Sequence, residues 1–205
     1  MAASPKWSRI ITFCTRISPI PSRCCGAVVA AIGVRMVLDA LVRPRALVGL
    51  SPALMPFPGL AAQLFPTLAR MLFVNPFAPH IVAALVRGPG DAARYVRQAT
   101  GSRIDAVGVD FYRRLFATSD HVAGAITMMA AWDLDVFARD LPRLHVPTLL
   151  VHGAADSAIP LASVKAAAAL IPGSRTEVLP GLGHLAHEER PAEVAALIEE
   201  FAGKE

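Results

Sequence analysis

Residues 141–205 constrain the fold more than any other part of the chain, because two strand-length segments there are each followed by a helix-length one. Leu144–Gly153 (LHVPTLLVHG) shows no sustained polar alternation and closes on a glycine, as a strand buried on both faces does. Ala162–Leu170 reads as an alanine-rich helix broken by Pro172-Gly173. Arg175–Leu179 reads as a second strand ending at Pro180-Gly181, and Pro191–Ala202 as an amphipathic helix with proline in its first turn. Strand–helix–strand–helix at these lengths predicts an α/β fold with a parallel sheet and right-handed crossovers.

Upstream, Arg45–Leu50 (RALVGL) is a short buried-strand candidate, and residues 27–42 read as a small-residue helix closed by Arg43-Pro44. Between about 53 and 117, prolines at 56, 58, 66, 76, 79 and 89 punctuate short amphipathic pieces rich in Phe, Leu and Met. These predict several short helices with proline-set entries and no strand. A longer helix is predicted at about 120–131, with Asp120 as a candidate cap, and another at 133–140. Residues 1–23 have neither helical nor strand period and read as irregular.

Composition excludes some classes. With 54% apolar and 18% charged residues, the chain has core material that a disordered protein lacks. The formal charge of +4 points at first to an anionic partner. It resides wholly in Lys6, Arg9, Arg16 and Arg23; from Arg35 onward acids and bases balance, so nucleic acid is not an expected partner. All three cysteines, Cys14, Cys24 and Cys25, lie in the same leader, with no spacing suited to a zinc site. A reducing, cytoplasmic setting is the default. The apolar run Cys24–Val34 falls well short of the roughly 20 residues that span a bilayer. It is also compatible with a signal-peptide core, but its periodicity continues past Arg35 through Met36, Leu38 and Leu41, as in a helix entering a domain. No transmembrane segment is expected.

Chemistry in open parallel sheets sits at the carboxyl ends of the strands. Two such ends carry titratable groups: Asp156, in the loop after the first C-terminal strand, and His184, in Gly181-Leu182-Gly183-His184 after the next. A carboxylate and an imidazole on neighbouring loops are what a nucleophile–histidine–acid relay requires, the acid fixing the tautomer of the base. Other readings stay open at this point. Asp156 is placed to cap the following helix, and His184 to be a turn histidine held by backbone. His152 suits the lining of a strand end. His184 and His187, three apart, would share a helical face as metal ligands, though no third ligand stands at a sensible spacing. No cofactor is expected.

PTLLVHGAADSAIP followed by LPGLGHLAHEERPAEVAALI resembles the C-terminal end of an α/β-hydrolase. Further stretches, RPRALVGLSPALMPFPGLAAQLFPTLARMLFVNPF, TGSRIDAVGVDFYRRLF and HVAGAITMMAAWDLDVFARDLPRL, are similar to one subgroup, the magnesium-chelatase accessory hydrolases of bacteriochlorophyll biosynthesis. The resemblance covers about Arg35 to Ala202. It implies that Asp156 is the acid after the seventh strand of that fold and His184 the histidine after the eighth. It divides the chain into a leader (1–34) that does not match the family, a helix and sixth-strand region (35–52), a helical lid (53–140) and a C-terminal core (141–205). About three parallel strands are therefore expected. It implies a hydrophobic small molecule or porphyrin as ligand and magnesium chelatase as partner. Met55, Phe57, Phe65, Met71, Phe73, Met128, Met129 and Trp132 would line the pocket under the lid, although such a stripe equally suits plain core.

The resemblance also exposes a gap. A hydrolase of this kind carries its nucleophile in a G-x-S-x-G elbow, and the family's serine falls on Ala27 within CGAVVA, which has no hydroxyl. Two substitutes can be weighed. Ser51, in G-L-S-P-A after a strand, is followed by prolines that bar an immediate helix. Cys24 lies out of register, with no strand foreseen before it. The expectation is a catalytically incomplete chain corresponding to the C-terminal portion of a longer hydrolase, its sixth strand left as an unpaired apolar edge.

Overall fold

The computed structural model describes residues 23–25, 27–56, 84, 88–130 and 132–203. A four-stranded parallel sheet carries the molecule, with strands β1 (Arg23–Cys25), β2 (Leu47–Leu50), β3 (Thr148–Gly153) and β4 (Arg175–Leu179) in spatial order 1-2-3-4. Helix α1 (Ala27–Leu38) links β1 to β2. Helices α2 (Pro89–Thr100), α3 (Ala106–Ala117), α4 (Ser119–Ala130) and α5 (Leu134–Asp140) lie between β2 and β3. Helix α6 (Leu161–Leu170) links β3 to β4, and α7 (Ala186–Glu189) and α8 (Pro191–Gly203) complete the described chain.

Every residue of β2 and β3 is buried. The alternation hidden in these apolar runs appears once both faces are seen. Leu47 and Leu150 join Ala31 and Val34 of α1, Phe137 of α5 and Val164 and Ala167 of α6 on one face. Val48, Leu50, Leu149 and Val151 join Ala186, Val194 and Phe201 of the last two helices on the other. A sheet covered on both sides needs apolar residues at every position, which is why these strands lack a period of two.

Two expectations are corrected at the sheet's first edge. A fourth strand exists, and β2 is not that edge: Arg23, Cys24 and Cys25 pair in parallel with Leu47, Val48 and Gly49. Arg23–Cys25 is too short to show a periodicity, and its pairing with β2 supplies the order that its sequence does not announce. The first helix also ends at Leu38 rather than 42, with Ala40 at φ 57° just beyond, a left-handed residue of the kind that terminates helices.

Other boundaries follow local chemistry. Pro89 stands in the first turn of α2, and Gly101 ends that helix at φ 71°, its N–H donating to the Arg97 carbonyl. Asp120 lies in the first turn of α4 rather than at its cap. Asp133 caps α5 by accepting from the Val136 N–H at 2.9 Å. Arg35 of α1 pairs with Asp140 at 2.7 Å and also with Asp39, tying the first crossover helix to the end of α5. Burial alone would lower the pKa of Arg35; its bonds to the two carboxylates outweigh that and raise it.

Of the residues expected to line a pocket, Met55 and Trp132 pack against the core cluster on the α1–α5–α6 face. Phe57, Phe65, Met71 and Phe73 lie outside the described residues, as does the side chain of Met129.

Leu150 is fully buried at the centre of β3. Leu150→Ala should destabilise the chain by about 2–5 kcal/mol in urea unfolding followed by circular dichroism.

Candidate functional site

The C-terminal ends of β2, β3 and β4 converge on one carboxylate. Asp156 stands three residues past the end of β3 with its side chain shielded from solvent. Its Oδ1 accepts the backbone N–H groups of Ala158 (2.7 Å) and Ile159 (2.9 Å). Its Oδ2 lies 2.9 Å from Nδ1 of His184. Ser51, at the end of β2, stands near the same carboxylate and helps to favour its charged form.

The two oxygens of Asp156 serve different partners. One oxygen organises the local turn; the other holds the imidazole. Asp156 does not cap α6, whose cap position is Pro160 with no side-chain bond.

Burial by itself would raise the pKa of Asp156. The hydrogen bonds from His184 and the Ile159 N–H, with the charge of His184 and the nearby Ser51, overcome that and lower it below its ordinary value. An ionised carboxylate only accepts, so the shared proton must sit on Nδ1 of His184. Nε2 of that ring, whose side chain is 16% exposed, is then left with a free lone pair. This is the arrangement of a base backed by an acid.

Of the surrounding polar groups, Nδ1 of His152 and Nδ1 of His187 are buried without a hydrogen-bond partner. His152 lines the end of β3, almost fully buried; its Nε2 donates to the Ile159 carbonyl at 2.9 Å and lies 3.7 Å from Asp156. The Ile159 carbonyl can only accept, so Nε2 of His152 carries a proton. Its role is to brace the 156–159 turn. His187 points elsewhere, 3.7 Å from Glu188. Burial lowers its pKa against the pull of Glu188, and the neighbouring His184 lowers it further. Tyr112 of α3 donates to Glu188 at 2.7 Å, and burial and that carboxylate raise its pKa above the ordinary phenol value. No group of three His, Cys, Asp or Glu able to hold a metal occurs among the described residues.

Glycine is needed here for close approach. A Cβ on Gly183 would stand 2.5 Å from the Gly101 carbonyl carbon and from the Ser102 nitrogen and Oγ. A Cβ on Gly101 would fall 2.0 Å from the Ala155 oxygen, at a residue already held at φ 71°. The loops bearing the acid and the histidine are therefore pressed, backbone to backbone, against the turn that follows α2.

The two proposed nucleophile substitutes also find places. Ser51 is 2% exposed at φ 45°, a strained value for a non-glycine residue. It lies near Asp156 and favours the ionised acid. Sequence reasoning considered Ser51 only as a nucleophile, because nothing local reveals an approach across two strand ends. Cys24 is the middle residue of β1, opposite Val48, so the strand judged missing is the one it occupies. Helix α1 opens at Ala27, just past that strand.

The model of the alpha/beta hydrolase family matches residues 19–197. The chain belongs to the alpha/beta hydrolase family. Among individual proteins it is 38% identical over 161 residues to the magnesium-chelatase 30 kDa subunit of Rhodobacter capsulatus, a match covering 77% of this chain and 54% of that protein. The chain thus spans about half the length of that relative. Solved structures resemble it in fold. They include an esterase from Exiguobacterium antarcticum (TM-score 0.67, 13% identity, 96% of this chain and 72% of that one). A bromoperoxidase from Bacillus anthracis is similar to a like degree (TM-score 0.66, 14% identity, 95% and 72%). Among the described residues no helix is long and apolar enough to cross a membrane.

Two outcomes follow. The stabilisation due to Asp156 is fully present above its unfolded pKa, near 3.8, and is lost as pH falls through the lower folded value. Denaturant titrations from pH 7 to pH 3 should show this acid-limb loss in the parent chain and a flatter limb in Asp156→Asn. Gly183→Ala should displace the histidine loop and lower the melting temperature, because the groups its methyl would meet are largely backbone.

Proposed function

We propose that this chain is an accessory protein of the magnesium-chelatase type, which keeps the acid–histidine pair of the hydrolase scaffold but does not form an acyl-enzyme. The observation that carries this is the pairing of an intact Asp156–His184 bond with Ala27 at the head of the helix after β1. A base with a free Nε2 lone pair accepts a proton from a bound N–H or O–H group or from water. Ala27 offers no hydroxyl for it to activate for covalent attack.

The likeness to the chelatase subunit supports a ligand and partner. Insertion of magnesium into a porphyrin requires the pyrrolic N–H protons to leave, and a carboxylate-backed imidazole suits that need. His184 is the proton acceptor in this reading and Asp156 the group that holds its tautomer. The ligand is a porphyrin, the partner is magnesium chelatase, and the setting is the cytoplasm. Ester hydrolysis is the competing reading, favoured by the same intact pair.

Purified chain should turn over no short aryl ester in a manner sensitive to His184→Ala; turnover abolished by that substitution would favour the hydrolase reading instead. Titration with magnesium protoporphyrin should shift its absorbance at micromolar concentration, and an unchanged spectrum would count against direct binding. In a reconstituted chelatase assay, the parent chain should raise the rate of magnesium insertion and His184→Ala should not.

A further inference from the structure

We infer that Ser102 and Glu189 are positioning residues for His184, forming a two-way staple between the turn after α2 and the histidine loop. The inference rests on the reading of His184 as the working base, and it concerns what holds that base in place.

Three consecutive N–H groups of the histidine loop lack sheet partners, and each is taken by a different acceptor. Gly183 donates to Oε1 of Glu189 at 2.7 Å. His184 donates to the Thr100 carbonyl at 2.8 Å. Leu185 donates to Oγ of Ser102 at 2.8 Å. The second oxygen of Glu189 accepts the Arg103 N–H at 3.0 Å. Ser102 thus reaches from the turn to the loop, and Glu189 reaches from beyond the loop back to the turn.

The turn is itself fixed before it meets the loop. Thr100 Oγ1 donates to the Val96 carbonyl at 2.6 Å and accepts the Ser102 N–H at 3.1 Å. Ser102 is 1% exposed, so its bond to Leu185 is sheltered from competing water. The same turn meets the acid loop, where the Ser157 hydroxyl donates to the Gln98 carbonyl at 3.3 Å. Ala155 in turn donates to the Leu182 carbonyl at 2.8 Å. The two loops that must agree on one imidazole proton are therefore referenced to one rigid turn.

This arrangement does more than hold the fold together. The His184–Asp156 bond fixes only one ring nitrogen, and a small shift of the 183–185 backbone would lengthen it. Glu189 suits the task because a carboxylate accepts two N–H groups at once. A glutamine accepts one and turns an amide N–H toward the other.

The test reads the tautomer of neutral His184 from its imidazole nitrogen chemical shifts in the full-length chain, with melting temperature measured alongside. The parent should carry the proton on Nδ1. Glu189→Ala and Ser102→Ala should each lower the Nδ1–H to Nε2–H ratio by about tenfold, the weight of one lost hydrogen bond. Glu189→Gln should fall between. Glu193→Ala, which removes an exposed carboxylate paired only locally with Arg190, should leave the ratio unchanged. Melting temperatures that fall in Glu189→Ala and Ser102→Ala while the ratio stays at its parent value would overturn the inference, since that is what a purely structural role gives. If Glu189→Ala does not fold, Glu189→Gln and Ser102→Ala decide alone. A parent chain already protonated on Nε2 would overturn the acid–histidine reading itself, and this inference with it.

Discussion

The site depends on the solvation of one buried carboxylate. Asp156 is shielded from water, and an isolated charge there would neutralise itself. It stays ionised because backbone N–H groups on its own turn and an imidazole from the loop after β4 donate to it, with Ser51 at the end of β2 favouring the charge from nearby. These groups come from different parts of the sheet's carboxyl edge, so the charge persists only when β2, β3 and β4 stand side by side. The sheet determines the site's chemistry by bringing those strand ends within hydrogen-bond reach of one another.

The same logic explains why so few side chains in the site are free. His152 is committed to the Ile159 carbonyl and Tyr112 to Glu188. His184, by contrast, keeps part of its side chain open to solvent.

What could be read in advance followed from local pattern. β3 is a nearly continuous apolar run closing on Gly, β4 is a short segment of mixed polarity set off by Pro172-Gly173 and Pro180-Gly181, and the placement of Asp156 and His184 on neighbouring strand ends follows from the crossover rule. β1 escaped notice because Arg23–Cys25 is too short for a period and owes its order to pairing with β2. Ser51 was visible as a hydroxyl after a strand, but its partner is distant in sequence and its role could not be inferred. Ser102 and Glu189 gave no signal at all. A serine after a helix-ending glycine and one glutamate in an acidic pair look like ordinary surface, and their partners lie 83 and 86 residues away.

Those separations bear on how the molecule becomes native. Closing a chain loop of that length costs entropy before any contact rewards it. The clasp between the 100–103 turn and the histidine loop joins segments on either side of α3, α4, α5, β3, α6 and β4. The histidine loop is thus held by groups from segments far apart in the chain, so its geometry reports on the whole span between them.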